Sequence, residues 1–315
     1  MKVSVIGMGA VGTETVRGLM NMAEIKEIVA VNRTRAKAEG EVEDLHHASA
    51  LCGPYGVASV GDYPDVAGSD IVVMTAGTYP KAGGSREDVL RENCDIVRDI
   101  IVEVERYAPA AIVLIVANPV DVAAQVALSH SGFRKTRLIS TGTLVDTMRL
   151  VRLVSDHVKI DPRSVSGYVV GEHGDGGLVP WSVFTICGMD VDTYCRLNNL
   201  EPLDKEMLRR QVVEAGHSVF SKKGYTNYGI GASISRIVRA IALDEKTVLP
   251  VGTLLEGEYG VNGAVMSLPC VIGRNGVEQI IQCDFSDAEV DQLKQSGNHI
   301  RQLWAMAEEE QAVIG

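Results

Sequence analysis

The sequence predicts an α/β fold in which a doubly wound parallel sheet is followed by an α+β domain, and three observations carry that prediction. Short β-branched runs alternate with helical stretches over the first half of the chain, the order expected of parallel βα units. Each run is nearly continuously apolar, as strands covered by helices on both faces require. The first run opens directly into Gly7-Met8-Gly9-Ala10-Val11-Gly12, a glycine turn leading into the helix-like stretch Thr13–Met22.

The candidate strands are Val3–Ile6, Ile25–Val31, Ile71–Thr75, Ala111–Val116 and Leu138–Ser140, and right-handed crossovers wind them into one sheet. After about residue 142 the pattern changes to long helices, Leu144–Val158, Asp204–Lys222 and Thr226–Leu243. An extended stretch, Thr247–Ile281, follows. Within it Arg274-Asn275-Gly276 reads as a hairpin turn between apolar runs that end at Ile272 and resume at Val277. A helix over Ala288–Glu309 closes the chain, so the expected domains are residues 1–141 and 142–315.

Composition narrows the function classes. The 315 residues carry 30 Lys+Arg against 41 Asp+Glu, a net charge of −11, with 46% hydrophobic and 23% charged residues. That balance repels phosphate backbones and argues against nucleic acid as a partner. The longest apolar stretch, Ala108–Ala117, is far shorter than the roughly 20 residues of a membrane span. Six cysteines (Cys52, Cys94, Cys187, Cys195, Cys270, Cys283) are scattered without a Cys-x-x-Cys, which suits reduced thiols. The first strand starts without a charged leader or a cleavage site, so the expectation is a cytoplasmic protein with no membrane partner.

A G-x-G-x-x-G between a strand and a helix is a dinucleotide signature, which makes the predicted sheet one of the Rossmann kind. Gly7 permits the tight turn, Gly9 admits a pyrophosphate against the backbone and Gly12 allows close strand–helix packing. Ala10 and Val11, inside the motif, are cofactor-binding candidates, and the N-terminus of the helix that follows offers free N–H groups to the phosphates. Thr75, Ala76 and Gly77, at the end of a later strand, are further cofactor-binding candidates. In NAD-binding chains an acid about 20 residues on meets the ribose 2′-hydroxyl. Here that place holds Asn32, followed by Arg33, Thr34 and Arg35. A neutral amide with two guanidinium groups suits a 2′-phosphate, so NADP(H) is favoured and NAD(H) is the alternative.

Three further motifs add chemistry: Val116-Ala117-Asn118-Pro119-Val120-Asp121, Gly142-Thr143-Leu144-Val145-Asp146-Thr147-Met148-Arg149 and Gly171-Glu172-His173-Gly174-Asp175. With the glycine motif and Gly83-Gly84-Ser85-Arg86 in the same order, the chain resembles the L-lactate/malate dehydrogenase family from its first strand to its last helix. The resemblance implies a catalytic second domain, a cis peptide before Pro119, an L product and a homodimer or homotetramer.

Reducing a 2-oxo acid needs a proton donor, a carboxylate anchor, a polarising cation and a positioned hydride donor. His173 is the candidate acid/base, and Asp146 would hold the ring's other nitrogen and favour its charged form. Arg149 lies one helical turn after Asp146 and offers a fork to the substrate carboxylate. Arg86 follows the run Lys81-Ala82-Gly83-Gly84-Ser85, where a closing lid would bring a cation to the carbonyl. Asn118, at a strand's carboxyl end, would help hold the substrate oxygen and the nicotinamide side.

The family resemblance also bears on the substrate's variable end. The residue before the lid lysine is glutamine in lactate dehydrogenases and arginine in malate dehydrogenases; this chain has Pro80. Thr226 stands where lactate-type enzymes carry threonine, and the segment from Asp161 to Tyr168 is similar to the L-2-hydroxyisocaproate dehydrogenase branch. The reading is an NAD(P)-dependent L-2-hydroxy acid dehydrogenase acting on a 2-oxo monocarboxylic acid with an apolar side chain. Malate or lactate dehydrogenase is the alternative, and a non-catalytic dinucleotide-binding relative the reading from another class. His46 and His47, beside Glu43 and Asp44, leave a helix in different directions, so no metal is expected. His130, His157, His217 and His299 read as surface residues.

Overall fold

The computed structural model describes residues 1–52, 55–78 and 86–308, without the side chains of residues 52 and 86–88. The first half runs β1 (Lys2–Ile6), α1 (Ala10–Met20), β2 (Glu27–Val31), α2 (Arg35–Cys52), β3 (Val57–Gly61), β4 (Ile71–Met74), α3 (Arg86–Tyr107), β5 (Ile112–Ile115), α4 (Val120–Ser129) and β6 (Leu138–Ser140). Its strands pair in parallel in the order β3-β2-β1-β4-β5-β6. That order reverses direction beside β1, and the reversal opens the crevice in which such sheets take their ligands.

The continuous apolar runs have the expected cause. Val3, Val5, Ile71, Val73, Ile112 and Leu114 face one core with α1, α2 and the later helix over Tyr228–Ala242, while Val72, Met74, Val113 and Ile115 face another with α3 and α4. In this half of the chain one strand escaped the sequence reading. β3 has the exposure pattern of an edge, open at Val57 and Ser59, and so lacks a continuous apolar run. β2 begins at Glu27, two residues later than its apolar run suggested.

The second half runs α5 (Leu144–Val158), β7 (Val165–Ser166), β8 (Val170–Gly171), β9 (Gly177–Leu178), β10 (Thr185–Ile186), β11 (Met189–Asp190), α6 (Val191–Leu197), α7 (Lys205–Lys223), α8 (Tyr228–Ala242), β12 (Thr247–Glu256), β13 (Asn262–Gly273), β14 (Gly276–Ile280) and α9 (Asp287–Glu308). Asp204 caps α7 by accepting the Met207 amide hydrogen bond, so the predicted helix start becomes the residue outside the helix. The hairpin at Arg274 and Asn275 joins β13 to β14 as predicted.

The large sheet does not stop at β6. Gly252 of β12 pairs antiparallel with Ser140 of β6, and β13, β8 and β9 extend the same sheet. A side chain at 252 would collide with the Ser140 hydroxyl, so only glycine lets the strands meet there. β7, β10 and β11 form a separate small sheet. No described helix is long and apolar enough to cross a membrane.

Candidate active site

The site is built at the carboxyl ends of the parallel strands. After β1, Gly7 takes φ +106°, and a Cβ there would lie 2.6 Å from the Ala76 nitrogen. A Cβ on Gly12 would run into the Gly7 carbonyl, whereas one on Gly9 would meet nothing within 4 Å. The loop is therefore closed from behind and open in front, the shape a pyrophosphate needs. Gly9 is also the N-cap of α1 and offers no side-chain cap, so the helix dipole faces that open space. Ala10 and Val11 are half-buried in its first turn.

Neighbouring groups brace the loop. The Thr75 hydroxyl donates to the Gly7 carbonyl at 2.7 Å, so this cofactor candidate is engaged with the protein. Asn32 accepts from the Met8 N–H at 3.0 Å through Oδ1 and donates to the Thr34 carbonyl at 2.9 Å through Nδ2. Its amide thereby fixes both the glycine loop and the turn that leads into α2. Arg35 is paired with Glu39 and Asp62 at 3.0 and 2.9 Å, while Arg33 is exposed and makes no hydrogen bond or ion pair with the described residues. Ala76 and Gly77 follow β4, and Gly77 packs against Asn93 and Ala117.

The acid/base candidate comes from the second half of the chain. His173 lies between β8 and β9, and its Nδ1 is 2.6 Å from Asp146 Oδ2, an atom of the first turn of α5. Arg149 donates through Nη1 to the other oxygen, Oδ1, at 3.0 Å. Burial opposes the charged ring, but the charge and hydrogen bond of Asp146 outweigh it and raise the His173 pKa above its ordinary value. Burial likewise opposes ionisation of Asp146, yet His173 and Arg149 hold that carboxyl below its usual range. The histidine side chain keeps 21% of its surface exposed, so Nδ1 is anchored inside while the ring has an open side.

Asn118 is exposed at the end of β5, and the peptide joining it to Pro119 is cis, as the resemblance implied. Its carbonyl accepts from Asn93 Nδ2 at 2.7 Å. Thr226 is half-buried just before α8. The structure thus brings His173, Asp146 and Arg149 together. Pro80 and the lid run 81–85 lie outside the described residues, as does the side chain of Arg86, whose backbone starts α3.

Sequence reasoning missed two supporting residues. Buried Asn93 accepts from the Thr78 N–H at 2.6 Å and binds the Asn118 carbonyl, tying α3 to two of the strand ends. Buried Asp121 accepts from the His173 N–H at 2.7 Å. Asp121 occurs on an apolar helical stretch, where a carboxylate on an apolar face was the available signal, whereas Asn93 lies among charged residues of α3 that gave none. His130 also departs from its surface reading, being half-buried between Arg98 and Glu308. No group of three His, Cys, Asp or Glu among the described residues is placed to hold a metal ion.

Comparison with known proteins agrees with this geometry. Residues 1–140 match the family model described as lactate/malate dehydrogenase, NAD binding domain, and residues 143–311 the one described as lactate/malate dehydrogenase, alpha/beta C-terminal domain. The chain is 42% identical over 303 residues to L-lactate dehydrogenase 1 of Clostridium acetobutylicum, covering 96% of each chain. It is 39% identical over 306 residues to the L-lactate dehydrogenase of Acetivibrio thermocellus, again covering 96% of each. Among solved structures, the minor L-lactate dehydrogenase of Enterococcus mundtii, in a ligand-bound form, superposes with a TM-score of 0.92 at 32% identity, over 98% of both chains. A glycine loop open to a dinucleotide, a histidine held by aspartate and an adjacent arginine therefore have their natural context: the chain belongs to the lactate/malate dehydrogenase family, oxidoreductases acting on the CH–OH group of a hydroxy acid with a nicotinamide dinucleotide.

Proposed function

We propose that the chain interconverts an apolar 2-oxo monocarboxylic acid and its L-2-hydroxy acid, with His173 as acid/base and NADP(H) as the favoured nicotinamide cofactor. The observation that carries the assignment is the 2.6 Å contact between His173 Nδ1 and Asp146 Oδ2, with Arg149 on the same carboxylate. Holding the Nδ1–H on Asp146 leaves Nε2 for the substrate. In reduction Nε2 gives its proton to the carbonyl oxygen, whose π electron pair becomes the new O–H bond, while Asp146 stays ionised. In the reverse direction neutral Nε2 takes the hydroxyl proton back. Arg149 holds the substrate carboxylate, Arg86 polarises the carbonyl, and Asn118 orients the same oxygen. When bound, the reduced nicotinamide supplies the hydride.

The cofactor preference rests on the second strand. Asn32 engages the glycine loop without the carboxylate that would repel a 2′-phosphate, and exposed Arg33, which pairs with none of the described residues, joins Thr34 in offering that phosphate a fork and a hydroxyl. Arg35 would contribute by leaving Glu39 and Asp62. Pro80 and Thr226 support an apolar substrate end, since neither supplies a charge for a second carboxylate. The curated relatives named L-lactate dehydrogenase favour pyruvate as the second reading.

The domain boundary falls between residues 141 and 142, a reading supported by the change from parallel to antiparallel pairing between β6 and β12. The protein acts as a cytoplasmic homodimer or homotetramer. Unpaired thiols at Cys94, Cys195 and Cys270 suit the reducing compartment, and exposed Leu51, Tyr55 and Tyr228 supply apolar surface for self-association. Initial rates with pyruvate, oxaloacetate, 2-oxoisocaproate and phenylpyruvate, each with NADH and NADPH, test the reading. Fastest turnover of oxaloacetate with NADH would overturn both specificity assignments.

A further inference from the structure

We propose that Asp121 is a positioning residue for His173, a strut from the first turn of α4 that fixes the backbone of the His173 loop and sets a second carboxylate behind the ring. The inference rests on the acid/base reading of His173. An acid in the first turn of a helix ordinarily serves its own free N–H groups. Both hydrogen bonds of Asp121 leave the helix instead. Oδ2 accepts from the His173 N–H at 2.7 Å, and Oδ1 accepts from the Ser140 hydroxyl at 3.5 Å.

The surroundings make the contact specific. Asp121 is only 2% exposed, and a buried carboxylate is retained in a fold only where it is well bonded. Gly252 leaves the space it occupies, because a Cβ there would approach Asp121 Oδ1 to 3.1 Å. The bond joins the Asn118–Pro119 turn, immediately before α4, to the loop that carries the proton donor. One side chain therefore fixes the distance between two groups that must meet the same substrate oxygen. The ionisable groups facing the pair are Asp146 and Arg149 from α5 and Glu172 from the His173 loop, whose carboxylate bonds His299 of α9 at 2.8 Å. Ser140 and Gly252 face it from β6 and β12 and do not titrate in this range. Burial pushes the Asp121 carboxyl up to about 7, against the His173 amide bond and charge, which favour its ionised form.

The test follows the full chain with NADPH and pyruvate, and reads the His173 imidazole titration by NMR beside the pH–rate profile. Asp121→Asn keeps an acceptor and removes the charge. It should shift the imidazole titration and the reduction limb to lower pH together, with KM for pyruvate within about twofold. Asp121→Ala removes both and should lower kcat on the order of ten- to a hundredfold at a pH where His173 is protonated. An unchanged titration in Asp121→Asn with unchanged kcat in Asp121→Ala would overturn the proposal, whatever happens to Tm. A shifted titration with an unmoved rate profile would support the strut and overturn the acid/base reading instead. Should neither variant fold, hydrogen exchange of the wild-type His173 amide decides: protection supports the bond, and exchange at the rate of an open surface amide overturns it.

Discussion

Asp146 presents Oδ2 to His173 Nδ1 at 2.6 Å, and its remaining oxygen is bound to Arg149 at 3.0 Å. One buried carboxylate thus supports the proposed proton donor and the proposed substrate clamp together. Neutralising it disturbs both.

Asp146→Asn is expected to lower kcat for 2-oxo acid reduction by about 100-fold, within the usual range for disabling general acid catalysis. The sign of the accompanying pH effect is fixed. Asp146 raises the His173 pKa, so the protonated ring persists to higher pH in the wild type, and reduction declines as pH rises through that raised value. In the variant the decline should begin at lower pH. A pH–rate profile superimposable on the wild type would remove Asp146 from the mechanism.

The same shifts govern stability. His173 has a raised folded pKa, so its contribution is fully present below its unfolded value of about 6.5 and is lost as pH rises through the folded one. Asp146 has a lowered folded pKa, so its contribution is present above about 3.9 and is lost as pH falls through the folded value. Asp121, held up at about 7, costs stability as pH climbs from its unfolded value toward that point. Urea midpoints should therefore fall as pH rises from about 6.5 through the raised His173 titration, and Asp121→Asn should flatten the part of that fall near pH 7. A midpoint that rises over the interval in the wild type contradicts the assignment.

Arg149→Lys keeps the charge and loses the planar fork. KM for the 2-oxo acid should rise by one to two orders of magnitude while cofactor affinity holds, because a point charge cannot make the paired contact to a carboxylate. Steady-state kinetics with fluorescence titration of the cofactor separate these quantities.

The glycine loop yields a contrast between two small changes. Gly12→Ala drives a methyl into the Gly7 carbonyl and should lower Tm by several degrees. Gly9→Ala points its methyl into open space, so Tm should hold while the dissociation constant for the cofactor rises roughly tenfold. Calorimetry and cofactor titration on both proteins check the pair.

Arg33→Ala should reduce kcat/KM with NADPH by about tenfold and leave NADH nearly unchanged, as loss of a charge-assisted phosphate contact predicts. Equal losses with both cofactors would place Arg33 away from the 2′ position.

What was legible in the sequence was local. A glycine at a turn, a continuous apolar strand and an aspartate one helical turn before an arginine each declare themselves within a few residues. The Asp146–His173 contact spans 27 positions, and motifs read through the family resemblance anticipated it. β3 was hidden because an edge strand exposes alternate residues and loses the continuous apolar run. Asp121 and Asn93 were hidden because their partners lie 52 and 15 or 25 positions away, on elements whose approach only the folded sheet decides. The junction of the two halves was hidden for the same reason: it depends on Gly252 meeting Ser140.

That junction bears on how the protein can be cut. In a fragment ending at residue 141, β6 would change from an interior strand to an unprotected border, with the backbone at Ser140 stripped of its partner. Bare borders of this kind recruit other chains. The dinucleotide-binding half is thus a recognisable unit in evolution but a poor candidate for separate expression, and excised alone it should self-associate unless a cap is engineered along β6.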